Sequence, residues 1–138
     1  MSEPSASASP GARSPAPALS AEFRLAPSDI AGQGVFAAVP LAAGTVVAGP
    51  LNHSCDPNCW YDSDALVTRR PIEAGEELTY DYATGSHDAD LVLYCHCETY
   101  RCRQIVTGDD WTIGQLQLRY SEHWAPPVRR RIESRGTE

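Results

Sequence analysis

Leu51-Asn52-His53-Ser54-Cys55-Asp56-Pro57-Asn58-Cys59 is the run of sequence from which the rest of the chain is best interpreted. It places an amide, an imidazole, a hydroxyl and a thiol in consecutive positions. Each of these side chains needs a hydrogen-bond partner or a metal if it is buried. Asp56-Pro57-Asn58 is typical of a turn, but a surface turn does not need a histidine and two cysteines beside it. The run therefore predicts a functional site.

The length and charge of the chain limit the classes of function. Its 138 residues are enough for one domain. Asp and Glu number 18 against 11 basic residues, all of them arginine, and the net charge is −7. This balance argues against nucleic acid as the main partner, because phosphate binding relies on clustered positive charge. It is compatible with a cationic substrate such as a lysine- or arginine-bearing peptide, although mild acidity is also common in soluble proteins.

The sequence contains no stretch of about 20 apolar residues that would predict a membrane span. The N-terminus lacks the charged region and apolar core of a signal peptide. We therefore expect a cytoplasmic protein. In that reducing environment the five cysteines are expected to bind metal in preference to forming disulfides.

Hydrophobic patterning predicts three regions along the chain. Residues 1–20 are mostly Ser, Ala and Pro and are expected to form a disordered tail. Residues 21–90 contain short strand patterns separated by Gly and Pro turns. Residues 91–138 contain a cysteine cluster and then helical spacing from Trp111, with Pro126-Pro127 expected to break that helix before a basic helical end. The predicted strands include residues 21–25, 45–48, 65–70 and 78–82, so the fold is expected to be mainly β with helix at the C-terminus.

Three cysteines lie within eight residues in the run Cys95-x-Cys97-x4-Cys102. Tetrahedral zinc takes four such soft ligands, and short loops supply them readily. Residues Cys55 and Cys59 of the polar run are candidates for the fourth ligand, and His96 is an alternative. Small buried thiols without metal would be the other explanation, but three so close together on a polar segment favour zinc.

With these motifs the chain resembles the SET-domain family of protein lysine methyltransferases, in particular small bacterial members with a zinc-binding tail. The run from Asn52 to Asn58 is similar to the family's most diagnostic motif, and the run from Gly75 to Tyr82 is similar to its second. The cysteine cluster resembles the family's post-SET segment, and Gly32-x-Gly34-Val35 lies where its first cofactor motif belongs. These matches follow the family's order from about residue 30 to 102.

The resemblance implies a fold and a cofactor. The fold would be a SET-like β-clip of short strands in which the two motif strands form a pseudoknot. The cofactor would be S-adenosylmethionine, with its methionine part against the backbone of Gly32, Gln33 and Gly34, where a Cβ would block approach. Residues Asn52 and His53 would hold it through side-chain and backbone hydrogen bonds.

The resemblance also implies the catalytic and metal-binding residues. The catalytic tyrosine would be Tyr82, and Tyr80 occupies the position at which the family alternates Phe and Tyr, which suggests mainly monomethylation. The substrate would be a lysine-containing protein or peptide. A structural zinc would take four thiolates, leaving Cys59 as a spare thiol; the four ligands would be Cys55, Cys95, Cys97 and Cys102.

The sequence departs from the family between Val47 and Leu51. SET domains carry several tens of residues here, including an insert that lines the peptide groove, whereas this chain has only Ala48-Gly49-Pro50. Three explanations remain: a minimal active enzyme, whose groove a second copy completes; a degenerate relative that no longer turns over; or a deletion.

The short segment between Val47 and Leu51 leaves two other hypotheses about the function. The missing wall favours a non-catalytic, zinc-stabilised interaction module as the alternative function. A zinc hydrolase using His53 and Asp56 is a third hypothesis, but an all-thiolate site argues against it, because catalytic zinc keeps an open position and takes His and carboxylate ligands.

Overall fold

The computed structural model describes residues 21–95 and 99–136. The predicted tail at residues 1–20 and the predicted zinc ligand Cys97 therefore lie outside the described residues. Within these ranges the chain is mainly β, with nine short strands and two helices, in agreement with the fold class predicted from sequence. No helix in the described ranges is long and apolar enough to cross a bilayer.

Four strands form the sheet that carries the polar run. They pair in the order β1-β2-β7-β4, and their bounds are Phe23–Pro27 for β1, Gln33–Ala37 for β2, Glu77–Tyr80 for β7 and Asn52–His53 for β4. The β1–β2 pair is an antiparallel hairpin. Its turn requires a left-handed residue, and Gly32 supplies it with a φ of 45°.

The pairing of β4 with β7 is parallel, whereas the other pairs in this sheet are antiparallel. Asn52 lies beside Thr79, and His53 beside Tyr80. Parallel strands need a long crossover connection, and here the crossover, residues 54–76, carries two of the three strands of a second sheet. The two motifs recognised in the sequence are thus brought side by side by backbone pairing.

The crossover sheet has the order β3-β6-β5, with β3 at Val46–Val47, β5 at Cys59–Asp62 and β6 at Ala65–Thr68. The connection from β3 to β4 is only four residues long, residues 48–51, and it turns at Gly49 with a φ of 112°. The short link noted in the sequence is therefore closed as a tight turn, and Leu51 at its end is buried in the core.

One core cluster lies between these two sheets. Its buried members are apolar or thiol side chains: Val35, Ala37, Leu41, Val47, Leu51, Cys59, Ile72 and Leu78. Cys59 belongs to this cluster, which gives the spare thiol a packing role.

The C-terminal third consists of a two-stranded sheet and the two helices. Strand β8 is Val92–Tyr94, β9 is Ile105–Thr107, α1 is Gly114–Tyr120 and α2 is Pro126–Gly136. The prediction that Pro126-Pro127 ends the first helix is wrong. That helix already ends at Tyr120, followed by Ser121 with a φ of 54°. The prolines instead begin α2, where a missing N–H costs nothing.

A separate apolar cluster holds this third together, with Trp111, Leu116, Tyr120, Trp124 and Val128 as its buried members. The ring of His123 stacks on Trp60 of β5, with centroids 3.6 Å apart and planes within 6° of parallel. The helical region is therefore packed against β5 of the crossover sheet.

Candidate functional site

The polar run and the run ending at Tyr82 meet in one cleft. Its lining comes from four separate parts of the chain: Ile30, Ala31, Asn52, His53, Tyr82, Leu93, Tyr94 and Cys95. The cleft has a volume of about 80 Å³, below the roughly 300–1,000 Å³ typical of small-molecule sites. A cofactor seated here would be enclosed over only part of its surface.

Tyr82 does not continue the strand as its alternation with Leu78 and Tyr80 predicts. Strand β7 ends at Tyr80, and a 3-10 turn covers Tyr82–Thr84. Asp81 begins this turn, because its carboxylate accepts a hydrogen bond from the N–H of Ala83 at 3.0 Å. The change from strand to turn directs the phenol of Tyr82 back towards the polar run.

The hydroxyl of Tyr82 donates a hydrogen bond of 2.7 Å to the carbonyl oxygen of Leu51. Burial raises the pKa of this phenol above its ordinary value, so the group stays protonated at neutral pH. Because its one hydrogen is used by Leu51, the oxygen presents lone pairs to anything else in the cleft. It can act there as an acceptor.

Three tyrosines form a continuous aromatic group in the β5–β7 region. Ring centroids are 4.9 Å apart for Tyr80 and Tyr82, and 5.9 Å apart for Tyr61 and Tyr80. Burial raises the pKa of Tyr80 to about 12, with Tyr61 and Tyr82 contributing. Tyr61 was missed in the sequence analysis, where only the spacing of Tyr80 and Tyr82 was considered.

Asn52 joins the glycine turn to the rest of the site. Its amide nitrogen lies 3.0 Å from the carbonyl oxygen of Ala31, 3.1 Å from that of Gln33 and 2.9 Å from a carboxylate oxygen of Glu77. An amide nitrogen has two hydrogens, so its donor capacity is fully used within the protein. The amide oxygen is therefore the Asn52 atom suited to a ligand.

Glu77 explains why position 34 is a glycine. A Cβ on Gly34 would collide with a carboxylate oxygen of Glu77 and would lie 3.1 Å from the amide nitrogen of Asn52. The same carboxylate accepts from the hydroxyl of Ser28 at 2.8 Å. The space beside Gly34 is thus occupied by Glu77, a residue not singled out from sequence.

His53 lies behind the cleft and is 3% exposed. Its Nδ1 lies 3.0 Å from the backbone nitrogen of Tyr82, and its Nε2 lies 3.3 Å from the sulfur of Cys55. Burial lowers the pKa of His53 to about 4, although the nearby Asp81 carboxylate opposes the shift. The imidazole is therefore neutral at physiological pH.

Two of the predicted zinc ligands face each other beside His53. The sulfur atoms of Cys55 and Cys95 are 3.9 Å apart. Four thiolates at about 2.3 Å from a zinc ion would lie roughly 3.8 Å from one another, so this spacing fits a tetrahedral site. The sulfur of Cys102 lies 3.6 Å from the Cys95 carbonyl oxygen and packs against this cluster, but it is not among the ligand atoms that lie within 4.8 Å of one another.

The imidazole of His53 is a further candidate in this cluster. One ring nitrogen of His53 lies within 4.8 Å of the sulfur atoms of Cys55 and Cys95. The donor set of thiols and imidazole suits zinc. The described residues thus supply two facing thiols and a third nearby, while Cys97 lies outside them.

Cys59 is separated from this cluster. Its sulfur lies 3.4 Å from the amide oxygen of Asn58, and the side chain is fully buried in the main core. Burial raises the pKa of the Cys59 thiol to about 12. Cys59 thus belongs to the apolar core, whereas Cys55 packs with Cys95.

A buried ionic network supports the Tyr82 turn from the other side. The guanidinium of Arg103 contacts both oxygens of Asp81, at 2.7 and 3.0 Å, and contacts Asp110 at 3.0 Å. The hydroxyl of Tyr120 in α1 donates to Asp81 at 2.8 Å. These partners were not found from sequence, although Arg103 directly follows the cysteine cluster.

The charges in this network fix its protonation states. Burial alone would raise the pKa of Asp81, but its hydrogen bonds and ion pair with Arg103 outweigh that effect, and the pKa lies below its ordinary value. Burial by itself would lower the pKa of Arg103, and Asp81 holds it above its usual range. The pair is therefore ionised throughout the physiological range.

Comparison with known proteins shows which family the residues of this site resemble. The sequence profile of the SET domain matches residues 48–83, which include Asn52, His53, Cys55 and Tyr82. Over these residues the chain is similar to the SET domain, in agreement with the resemblance noted in the sequence.

Several curated relatives of this SET segment are histone-lysine methyltransferases. Over 71 residues the chain is 38% identical to histone-lysine N-methyltransferase 2D of Homo sapiens, covering 44% of this chain and 1% of that protein. It is 39% identical over 74 residues to histone-lysine N-methyltransferase ash1 of Drosophila melanogaster, covering 48% and 3%. It is 40% identical over 63 residues to probable histone-lysine N-methyltransferase set-23 of Caenorhabditis briggsae, covering 39% and 26%.

The chain thus spans only a small part of these relatives, at most 26% of the length of the three named. The profile match ends at residue 83, before Cys95 and the other clustered cysteines. It also begins after the glycine turn at residues 32–34. The roles of these two segments therefore depend on geometry and on the resemblance in sequence.

Proposed function

We propose that this chain is an S-adenosylmethionine-dependent protein lysine N-methyltransferase with a structural zinc. The observation that carries the proposal is the position of Tyr82. Its hydroxyl oxygen is oriented by Leu51 in a cleft that also contains Asn52 and His53. The three residues belong to the two motifs of the SET segment, 29 positions apart for His53 and Tyr82.

Methyl transfer to an amine depends mainly on alignment, because the reaction needs no covalent intermediate with the protein. S-adenosylmethionine supplies an electrophilic methyl group on a sulfonium. The task of the chain is to orient the acceptor amine and to exclude water. The lone pairs of the Tyr82 oxygen suit this task, since they can accept weak hydrogen bonds from a polarised methyl group or a bond from the amine.

The aromatic group of Tyr61, Tyr80 and Tyr82 suits the walls of a lysine channel. An amine entering between these rings would leave bulk water, which favours its neutral, nucleophilic form. The aliphatic stem of lysine would pack on the ring faces. The acidic net charge of −7 favours the approach of such a cationic side chain.

Asn52 and the glycine turn are the proposed contacts to the cofactor. With its amide hydrogens bonded to Ala31, Gln33 and Glu77, Asn52 would offer its oxygen to the cofactor's ammonium group. The backbone of residues 32–34 is fixed by the same bonds. The turn is therefore pre-organised for binding, which reduces the ordering cost on association.

The degree of methylation is proposed to be mainly one methyl group per lysine. The ring of Tyr80 packs against that of Tyr82, with centroids 4.9 Å apart, and its phenol oxygen would take up space in the proposed lysine channel. A methylated amine needs more space to realign for a second transfer. A smaller side chain at position 80 would supply that space.

Zinc is proposed to tie the C-terminal third to the polar run. The thiolates of Cys55, Cys95 and Cys102 come from both parts, and Cys97 is the proposed fourth ligand. When bound, the ion supplies folding energy and no chemistry of its own.

The direct test is incubation of the zinc-loaded chain with radiolabelled S-adenosylmethionine and lysine-rich proteins, histones among them. We expect label on substrate lysines. The chain has no lysine of its own, so label on its own band would have to lie on another residue. Absence of transfer to every substrate, under conditions where the cofactor binds, would contradict the proposal.

The short link between Val47 and Asn52 favours a second function, a non-catalytic zinc-stabilised interaction module. That link leaves four residues where the family has its groove wall. This alternative predicts one zinc per chain and no cofactor binding by calorimetry. Cofactor binding at micromolar concentration or below would exclude it.

A further inference from the structure

The imidazole of His53 uses both of its ring nitrogens within the protein. One edge of the ring faces the backbone nitrogen of Tyr82 at 3.0 Å, and the other faces the sulfur of Cys55 at 3.3 Å. The ring is 3% exposed and lies edge to face with the Tyr82 ring, 5.3 Å between centroids. It therefore has a fixed orientation between the thiol cluster and the tyrosine.

The contact with Tyr82 determines which nitrogen carries the proton. A backbone N–H can only donate, so Nδ1 must accept and must be unprotonated. The proton of the neutral ring is then on Nε2, and Nε2 donates it to the sulfur of Cys55. A nitrogen that holds a proton has no lone pair for a metal ion. The geometry thus makes His53 a hydrogen-bond donor to the thiol cluster.

Arg103 also connects the sulfur of Cys55 with the turn that carries Tyr82. Its backbone N–H donates to the sulfur of Cys55 at 3.3 Å. Its guanidinium holds both oxygens of Asp81, the residue before Tyr82. The sulfur of Cys55 is thus linked to the Asp81–Tyr82 turn by two independent routes, one through an imidazole and one through an arginine.

We propose that His53 is a positioning residue, outside the metal coordination, that couples the Cys55 thiolate to the backbone of Tyr82. A metal-bound thiolate holds the Nε2 proton, which fixes the ring. The ring in turn fixes the tyrosine turn through Nδ1. The effect on catalysis depends on the proposed methyltransferase function, whereas the tautomer and the effect on metal affinity do not.

Two substitutions separate the two hydrogen bonds. In His53→Asn the side-chain oxygen can take the place of Nδ1 and accept from Tyr82, but the chain is too short to reach Cys55. In His53→Gln the terminal amide can take the place of Nε2 and donate to Cys55, but no acceptor remains at the Nδ1 position. His87→Gln is the matched control, because this half-buried histidine lies outside both the cleft lining and the thiol cluster.

The first measurement is the tautomer in the full chain loaded with cadmium-113. A long-range proton–nitrogen correlation spectrum, assigned with the His53 variants, is expected to show a proton on Nε2 and no coupling between cadmium and the ring. Coupling of cadmium to either ring nitrogen, or a proton on Nδ1, would overturn the proposal. This result does not depend on any enzymatic activity.

The second measurement compares zinc affinity and turnover. We expect His53→Asn to bind zinc about 10- to 100-fold more weakly, as losses of hydrogen bonds to metal ligands generally do. We expect His53→Gln to keep its zinc affinity within about threefold and to lose about tenfold or more in kcat. A His53→Gln variant with the turnover of the wild type and of His87→Gln would overturn the coupling.

These measurements distinguish failure of the proposed methyltransferase function from failure of the proposed coupling between Cys55 and Tyr82. If the wild-type chain binds zinc but transfers no methyl group, the turnover comparison has no signal. The tautomer and the zinc affinity of His53→Asn then decide the inference. Wild-type affinity in that variant would overturn it.

Discussion

The hydroxyl of Tyr82 reaches the carbonyl oxygen of Leu51, a residue 31 positions earlier in the chain, at 2.7 Å. This bond orients the phenol without charging it, because burial raises its pKa. The oxygen faces the cleft with its lone pairs. Leu51, at the end of the short β3–β4 link, therefore sets the orientation of the phenol oxygen on which the proposed methyl transfer depends.

The first prediction concerns that oxygen. In Tyr82→Phe we expect methyl transfer to fall by about 100-fold, in the range of losses seen for a single removed polar group at an active site. The free energy of unfolding should fall by only about 1 kcal/mol, since one neutral hydrogen bond is lost. Single-turnover transfer and urea unfolding measure the two quantities. Equal loss in the exposed control Tyr100→Phe would show a nonspecific effect.

The second prediction concerns the buried pair of Asp81 and Arg103. In Asp81→Asn the guanidinium of Arg103 loses the more buried of its two charged partners and keeps Asp110. We therefore expect a loss of about 3 kcal/mol in the free energy of unfolding, at the lower end for a broken buried pair. The matched control is Glu76→Gln, which breaks the exposed pair with Arg70 and should cost under about 1 kcal/mol. Comparable losses in the two variants would contradict the structure.

The same pair predicts a pH dependence. The pKa of Asp81 is lower in the folded chain than its ordinary value of 3.8. Its contribution to stability is therefore complete above that ordinary value and is lost as the pH falls through the lower folded pKa. Unfolding at acid pH should show a steeper loss of stability in the wild type than in Asp81→Asn. Parallel pH profiles would argue against an ionised Asp81.

The third prediction concerns the thiols. Cys95→Ala removes a proposed ligand, so bound zinc should fall from one per chain to well below one at micromolar concentration. Cys59→Ala removes an equally buried thiol outside the cluster and should keep one zinc per chain. Metal analysis after dialysis gives the stoichiometry. Zinc retained in Cys95→Ala, or lost in Cys59→Ala, would assign the site to different residues.

The fourth prediction concerns Gly34. In Gly34→Ala the new Cβ collides with the carboxylate of Glu77, which must leave Asn52 and Ser28. Loss of a charged hydrogen bond of about 1.5–3 kcal/mol should weaken cofactor binding by at least about tenfold in calorimetry. Gly114→Ala places the same methyl group in open space and should leave binding unchanged. Tight binding in Gly34→Ala would show that Glu77 does not organise the cleft.

The fifth prediction concerns product distribution. In Tyr80→Phe the phenol oxygen is removed from the aromatic group, and we expect the share of dimethyl-lysine to rise several-fold. Mass spectrometry of a single-lysine peptide measures it. Tyr94→Phe, whose side chain is 68% exposed on the rim of the cleft, is the control and should keep the wild-type ratio.

Much of the fold could be predicted from local pattern, because turns and the alternation of apolar and polar side chains depend on residues that are neighbours in sequence. The predicted strands near Leu25 and Ala65 are examples, and both are strands in the structure. The helix boundary at Ser121 was missed, since a left-handed serine has no sequence signal comparable to glycine or proline.

The supporting residues of the site were harder to predict. Glu77, Arg103 and Tyr120 act through contacts 22 to 49 positions away in sequence, and an ordinary Glu, Arg or Tyr carries no mark of such a partner. Tyr82 leaves the direction of β7 for a local reason, because the carboxylate of Asp81 caps the 3-10 turn that begins there. Its consequence, a hydroxyl at Leu51, depends on the parallel pairing of β4 and β7, which no local pattern encodes.

That parallel pairing has a consequence for the order of folding. The β5–β6 hairpin can close early, because its contacts are local, but β4 and β7 can pair only after the whole crossover between them has been enclosed. Closing such a loop costs entropy before its contacts form. A chain with only its hairpins formed would therefore lack the cleft altogether. Cofactor binding would then report completed folding more stringently than the content of β-structure does.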